Sequence, residues 1–341
     1  MDCIKEGKEH FKEQRKLQIV YGDVTLGVHG ILDSGKRFDY IWSYARGGME
    51  SMVMDGKEWL YREPRPAFWR ALTDNDRGSG FHLRSGMWLA ADLFQKCSKI
   101  QVKIDKKEIA LPIAPENNRY GTEESAQQAE ICFTYETITV PSTEVTVCYQ
   151  VNSNGQIRVD VHYYGKQGLP ELPVFGIRFQ MPTKAVLYRY QGLSGETYPD
   201  RMAGGKPGIY TIEGLPVTPY LVPQDCNVHM ETEWLEIYRN TVKSNKKRWK
   251  ESEENLFGIR FSAVEKTFAF SCIPYTPEEL ENATHQEELP LPRRTVVSIL
   301  GAVRGVGGIN SWGADVEESY HISGEQDRRV SFFIYEAEKK N

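Results

Sequence analysis

Two aspartates and an asparagine stand together in the stretch FWRALTDNDRG, residues 68–78. Such groups can bind a cation, carry out acid–base chemistry or shape a turn. An EF-hand loop starting at Asp74 would require glycine at its sixth position and glutamate at its twelfth, but the chain has Ser79 and Ser85 there. The sequence therefore excludes an EF-hand and leaves an irregular cation site open.

The same carboxylates are a weak match to glycoside hydrolysis. That reaction uses two carboxyl groups about 5 Å apart for retention of configuration, or about 6.5–9.5 Å apart for inversion. Asp74 and Asp76 would point the same way from an extended chain. Nothing in the neighbouring sequence gives them different roles as acid and base, so a catalytic pair is the less favoured interpretation.

A structural role explains the stretch better. Phe68 and Trp69 would anchor one end in the core, and Arg70 can pair with a neighbouring aspartate. Asparagine and aspartate bond to nearby backbone amides, and glycines allow turns that other residues resist. We predict a firm base that leads into a functional loop, GSGFHLRSG (78–86), which could close over a ligand. The base consists of Asp74, Asn75 and Asp76.

A tryptophan among glycines marks a second stretch, GAVRGVGGINSWGADVEESYH, residues 301–321. Glycine-rich backbone cannot pack around an indole well by itself, so Trp312 either folds back into the core or is presented to solvent. A presented tryptophan usually belongs to an interface or a ligand platform, and an indole face suits the C–H face of a sugar. Both placements are open from the sequence.

Polar residues also share a third stretch, GLSGETYPDRMAGG, residues 192–205. They could form a polar site, but a buried network that braces a crossover is the favoured interpretation. The residues are Glu196, Tyr198, Asp200 and Arg201. We interpret His162 and His285 as surface or hydrogen-bonded histidines.

The six cysteines are scattered, with no CxxC spacing. We interpret them as reduced and mostly buried thiols, with a zinc site or a disulfide framework as the alternative. They are Cys3, Cys97, Cys132, Cys148, Cys226 and Cys272.

The composition of the 341-residue chain, 40% hydrophobic and 11% aromatic, supports a sizeable core. A formal charge of −5 and a pI of about 5.9 give no sign of nucleic-acid binding. No apolar run approaches the roughly 18–20 residues of a membrane span, and the charged N-terminus lacks the apolar segment of a signal peptide. We therefore predict a cytoplasmic protein without nucleic-acid or membrane partners.

Two segments are expected outside the regular fold. Residues 1–16 are predicted to be a flexible leader, followed by a single domain at residues 17–338. Residues 243–255, KSNKKRWKESEEN, carry a basic run and then an acidic one. A solvated loop is favoured there over a phosphate-binding patch.

Apolar and polar residues alternate with a period of two over most of residues 17–335, which predicts half-buried antiparallel strands. Hairpin turns are predicted at Asp55-Gly56 and at residues 152–155. Helices are predicted at residues 85–96 and after a capping box at Thr276. Because strands and helices do not alternate, a Rossmann fold or a TIM barrel is disfavoured. We predict an all-β fold, a large antiparallel sandwich with one or two short helices.

Five motifs, taken in order, resemble the C-terminal domain of large β-galactosidases of glycoside hydrolase family two. The likeness is greater to the small subunits of heterodimeric β-galactosidases of lactic acid bacteria and relatives, in which this domain is a separate chain. It covers residues 17–335. The motifs are FWRALTDNDRG, YQGLSGETYPDR, LPVTPYLVPQ, the ENATH–EELP region and GGINSWGADV.

This resemblance implies a β-supersandwich like that of galactose mutarotases. It also implies that the catalytic glutamates, with the magnesium ion that assists them, lie on the TIM barrel of a large-subunit partner. This chain would then carry no catalytic residue, cofactor or metal, and would be inactive alone. The complex would hydrolyse terminal β-D-galactosides such as lactose by the retaining mechanism.

The resemblance also assigns roles to residues near the sugar. The tryptophan of the family's GG–SW motif reaches the sugar site from this domain, and here it is Trp312. The family has a mobile loop directly after its DND motif. The matching loop here consists of Gly78, Ser79, Gly80 and Phe81, and its base of Asp74, Asn75 and Asp76.

Two other functions suit the same fold. An autonomous mutarotase-like sugar epimerase would interconvert anomers with a histidine acid and a carboxylate base, although the sequence offers no histidine–glutamate constellation for this. A noncatalytic carbohydrate-binding module is the third hypothesis.

Overall fold

The structure is a computed structural model that describes residues 15–111, 124–242 and 256–337. Residues 1–14 of the predicted leader and the predicted charged loop at 243–255 lie outside the described residues. Within the described ranges, no helix combines the length and apolarity needed to cross a membrane.

Strands account for most of the regular structure in the described ranges. The first ten are β1 (Leu17–Tyr21), β2 (Thr25–Ile31), β3 (Arg37–Ser43), β4 (Gly48–Met54), β5 (Lys57–Glu58), β6 (Arg62–Ala67), β7 (Gln95–Ile104), β8 (Lys107–Ile109), β9 (Ser125–Ala126) and β10 (Gln128–Thr137). The others are β11 (Glu144–Asn152), β12 (Ile157–Tyr163), β13 (Val174–Met181), β14 (Leu187–Leu193), β15 (Pro207–Glu213), β16 (Val228–Thr232), β17 (Trp234–Arg239), β18 (Phe257–Ala263), β19 (Phe268–Ile273), β20 (Thr295–Val303) and β21 (Arg328–Glu336). The α-helices of the described ranges are α1 (Asp74–Gly78), α2 (Phe81–Ser85), α3 (Met87–Leu93) and α4 (Pro277–Asn282), and short 3₁₀ helices span Gln286–Glu288 and Glu318–Tyr320.

The described strands form three antiparallel sheets. The largest has the order β15-β14-β17-β18-β21-β12-β11-β10-β7-β8, and the other two have the orders β5-β4-β3-β2-β1-β9 and β16-β19-β20-β13-β6. Trp42 of β3 meets Tyr149 of β11 with ring centres 6.1 Å apart, and Phe179 of β13 meets Phe261 of β18 at 5.4 Å. Both smaller sheets thus pack on the largest one, which confirms the predicted all-β antiparallel sandwich.

The predicted hairpins and the alternation of buried residues are also confirmed. Asp55 and Gly56 join β4 to β5 with φ values of 51° and 69°, as a two-residue hairpin turn requires. Gly155, with φ of 81°, turns the chain between β11 and β12. Every second residue of β12, from Ile157 to Tyr163, is buried.

The segment at residues 78–86, predicted as a loop, is largely helical instead. Thr73 caps α1, and its hydroxyl accepts a hydrogen bond from the amide of Asp76 at 3.2 Å. Gly80, with φ of 71°, separates α1 from α2. The loop prediction overlooked this capping box, in which a threonine precedes an acidic residue by three positions.

The other helix predictions were partly confirmed. The helix expected over residues 85–96 is shorter, because the chain enters β7 at Gln95. The capping box at Thr276 is present: its backbone amide donates to Glu279 Oε2 at 2.9 Å, and its hydroxyl accepts from the amide of Glu279 at 3.3 Å. A helix with proline at its first position follows, as predicted.

The prediction of reduced cysteines was wrong for one pair. Cys132 and Cys148 are joined by a disulfide, and they face each other in the antiparallel register of β10 and β11 with Cα atoms 4.0 Å apart. Alternation predicts a strand for each segment, but it does not by itself give the register that brings the two cysteines together. Cys226 and Cys272 are free and buried, as predicted, whereas free Cys97 is half-buried.

Candidate functional site

The two stretches that the sequence singled out meet in the structure. Residues 305–315, here called the tryptophan segment, lie directly against α1. A Cβ atom added to Gly313 would be 2.6 Å from the carbonyl oxygen of Gly78, and Gly313 has φ of +77°. Asn75 Nδ2 donates to the carbonyl oxygen of Val306 at 3.0 Å. Close backbone approach together with a positive φ requires glycine at position 313.

Asp76 is the buried centre of the predicted base and is only 1% exposed. Its Oδ2 accepts hydrogen bonds from Arg70 Nη1 at 2.6 Å and from the amide of Thr73 at 2.9 Å, and its Oδ1 lies 3.3 Å from Arg304 Nη1. Burial by itself would raise the pKa of Asp76, but Arg70, followed by Thr73, holds that pKa below its ordinary value. The carboxylate is therefore ionised and paired at neutral pH.

Arg304 links Asp76 to two other carboxylates, although its side chain is only 1% exposed. Its Nε donates to Glu171 Oε2 at 3.0 Å, and its Nη2 pairs with Asp315 at the end of the tryptophan segment. The guanidinium lies over the ring of Phe81, 4.2 Å from the ring centre. Burial opposes ionisation of Asp315, but Arg304 and the amide of Val316 keep its pKa lowered.

The start of the tryptophan segment is held by the stretch at residues 192–205. Asp200 accepts hydrogen bonds from the amides of Val306 at 3.0 Å and Gly307 at 2.8 Å. Arg201 Nη2 donates to the carbonyl oxygen of Gly307. These two predicted polar residues therefore brace a backbone segment.

The other two polar residues of that stretch act in the same way. Tyr198 donates its hydroxyl hydrogen to Asp225 at 2.7 Å, and Glu196 accepts from the amide of Asn227 at 2.5 Å. Burial raises the pKa of Asp225 to about 6, and Arg70 opposes that rise. The predicted bracing network is present, but it is only partly buried: Tyr198 is buried and Asp200 is half-buried, whereas Glu196 and Arg201 are exposed.

Trp312 is presented to solvent and is 93% exposed, which decides between the two placements left open by the sequence. Asn310 Oδ1 accepts hydrogen bonds from the amides of Trp312 at 2.9 Å and Ala314 at 3.3 Å. The backbone around the indole is therefore folded into a defined turn. The indole of Trp312 therefore extends into solvent from a backbone segment that is held by hydrogen bonds.

The four residues of the predicted active-site loop are closely held. They run from the last residue of α1, Gly78, to the first residue of α2, Phe81, next to the tryptophan segment. Phe81 is fully buried, with its ring 6.4 Å from that of Trp69, and Ser79 Oγ donates to the carbonyl oxygen of Asp76 at 3.2 Å. Leu83, which the sequence did not single out, is 81% exposed. A closing motion of Gly78, Ser79, Gly80 and Phe81 stays a prediction.

Comparison with known proteins identifies the family. The family model described as "Beta galactosidase small chain" matches residues 34–334. This chain belongs to the β-galactosidase small-chain family. The Latilactobacillus sakei protein named "Beta-galactosidase small subunit" is 59% identical over 320 residues, which make up 94% of this chain and 98% of that protein.

Longer relatives of the small-chain family contain the same region. The β-galactosidases of Streptococcus thermophilus and Halalkalibacterium halodurans are 30% and 32% identical, over 93% of this chain in both cases. The chain spans 27% and 28% of those two proteins. A solved galactose mutarotase-like protein from Lactobacillus casei ATCC 334 aligns with 91% of this chain and 100% of its own, at 9% identity and a TM-score of 0.38.

The carboxylates of this small chain do not converge as a catalytic pair or a cation site at the DND motif. The side chain of Asp74 is 72% exposed and lies 3.7 Å from Arg77, whereas Asp76 is enclosed by arginines. A second group, Glu171, Asp315 and His321, places ligand atoms within 4.8 Å of one another. Arg304 pairs with both carboxylates of that group, so an ion-pair network explains this cluster.

Three histidines in the described part of the chain have surface or structural surroundings. His162 Nε2 lies 3.1 Å from Asp327, and the side chain of His285 is 68% exposed, as the sequence predicted. The sequence did not single out His229, which is 2% exposed and lies with Nδ1 2.8 Å from the carbonyl oxygen of Gly195. Burial lowers the pKa of His229 to about 4, so this ring is neutral at pH 7.

Proposed function

We propose that this chain is the small subunit of a heterodimeric β-galactosidase and forms one wall of the sugar pocket. The observation that carries the proposal is the 93% exposure of Trp312 on a braced backbone. The indole would stack on the C–H face of a terminal β-D-galactoside such as lactose. Gly78, Ser79, Gly80 and Phe81 would lie beside the same pocket.

Bond cleavage is assigned to the large subunit because the carboxylates near Trp312 are unsuited to it. A retaining glycosidase needs one carboxyl group that carries a proton and another, about 5 Å away, that acts as the nucleophile. Asp76 and Asp315 are both held ionised by arginines. The glutamates that cleave the bond, and the magnesium ion that assists them, would come from the large subunit.

The test is an assay of the purified chain, alone and mixed with a large subunit of the family, on a chromogenic β-galactoside. We expect no hydrolysis by this chain alone and hydrolysis by the mixture at a rate far above that of the large subunit alone. Hydrolysis by the isolated chain would contradict the proposal. Anomerisation of free galactose by the isolated chain would favour the mutarotase-like alternative.

A further inference from the structure

Arg304 is the single residue between the last strand of its sheet, β20, and the tryptophan segment. It follows β20 directly, and its amide donates to the carbonyl oxygen of Pro173 at 2.9 Å. Its side chain is 1% exposed, so its position is set by the surrounding core. The segment that follows contains four glycines among eleven residues, and glycine-rich backbone loses much conformational freedom when it is ordered.

The tryptophan segment is therefore tied at both ends. Asp200 binds the amides at its start, and Arg304 pairs with Asp315 at its end, three residues beyond Trp312. Arg84 also pairs with Asp315, but its side chain is 45% exposed. The tie through Arg304 is the more buried of the two, because Arg304 is 1% exposed, and buried charges are less screened by solvent than exposed ones.

An arginine suits this place because one planar guanidinium can donate to several acceptors at once. Arg304 reaches Asp76, Glu171 and Asp315, which belong to three separate parts of the chain. The ring of Phe81 covers its face. A lysine could keep the charge but could not reproduce this set of contacts.

We propose that Arg304 is a positioning residue that sets the orientation of Trp312 by tying Asp315 to Asp76 of α1 and to Glu171. This inference rests on the proposed function, because it concerns how the indole platform is held ready for a sugar. Arg304 does not itself contact the sugar. Asp76 keeps Arg70 as a partner when Arg304 is lost, so a variant at position 304 retains the base of the site.

The experiment is a double-mutant cycle in the assembled enzyme, with Arg304→Lys, Trp312→Ala and the combination. We expect Arg304→Lys to raise KM for a galactoside by about 5–10-fold with little change in kcat, and to add no further increase in the Trp312→Ala background. A merely structural role would give the same KM increase in both backgrounds. Equal increases in both backgrounds would overturn the inference, and so would an unchanged KM in the single variant Arg304→Lys.

Two further variants distinguish a specific effect on KM from a general loss of folding. Asp315→Asn changes a side chain that is 31% exposed. We expect this variant to raise KM, as Arg304→Lys does. Arg178→Lys is the matched control, because Arg178 is a buried arginine paired with Asp92 at 2.6 Å, and it should leave KM unchanged. If Trp312→Ala itself leaves KM unchanged, the proposed function fails. If only the variants at 304 and 315 leave it unchanged, the inference alone fails.

Discussion

Replacing Trp312 with alanine in the assembled enzyme should raise KM for a β-galactoside by about 5- to 150-fold and leave kcat nearly unchanged. We take the magnitude from the stacking of nucleobases on aromatic side chains, which contributes about 1–3 kcal/mol per base, and each 1.4 kcal/mol is a factor of ten. Loss of binding that is equal in the ground and transition states raises KM alone. Steady-state kinetics of the complex measure this directly.

Trp234 offers a matched control for the same substitution. Its indole is half-buried and lies 4.3 Å from the guanidinium of Arg260 on the large sheet. Trp234→Ala should reduce stability without affecting KM. Equal KM values for Trp312→Ala and the unaltered enzyme would contradict the platform role of Trp312.

Replacing Asp76 with asparagine should lower the free energy of unfolding by about 3–5 kcal/mol, since it leaves buried arginines without their counter-charge. Asp74→Asn is the matched control within the same motif. The side chain of Asp74 is 72% exposed, so this change should stay within about 0.5 kcal/mol. Denaturant unfolding of the isolated chain gives both values.

The pH dependence of stability provides an independent check on Asp76. Arginine pairing outweighs burial and lowers its folded-state pKa below the unfolded value of about 3.9. Its contribution is therefore fully present above the unfolded pKa and is lost as the pH falls through the folded pKa. Asp76→Asn should lack this part of the acid-induced loss of stability. Equal effects of the substitutions at 74 and 76 would contradict a buried ion pair.

Local signals in the sequence predicted local features correctly. The hairpin at Asp55-Gly56, the capping box at Thr276 and the pairing of Arg70 with Asp76 all depend on residues close together in the chain. The same reasoning missed the capping box at Thr73, because the DND motif was interpreted as a turn. Aspartate at the start of a helix satisfies free amides just as it does in a turn.

Features that depend on contacts between residues far apart in the chain could not be predicted from the sequence. Arg304 and Asp76 are separated by 228 positions, and Arg304 and Glu171 by 133. Neither pairing has a periodic or motif signal. The disulfide between Cys132 and Cys148 required the register of two strands, which alternation alone does not fix.

The solvent exposure of Trp312 has a local sequence signal that is more informative than composition. Composition left core packing and presentation equally open. Asn310, two residues before the tryptophan, accepts hydrogen bonds from the amides of Trp312 and Ala314. An asparagine at this spacing, followed by glycine, predicts a local turn, and a side chain carried on such a turn is more readily presented than buried.

Solvent access of Trp312 in the assembled enzyme tests the central claim most directly. Oxidative footprinting with mass spectrometry would measure modification of this indole in the isolated chain and in the complex with a large subunit, with and without a saturating galactoside. The platform role predicts strong modification in the isolated chain and protection by the galactoside in the complex. Modification that is unchanged by assembly and by the sugar would contradict it.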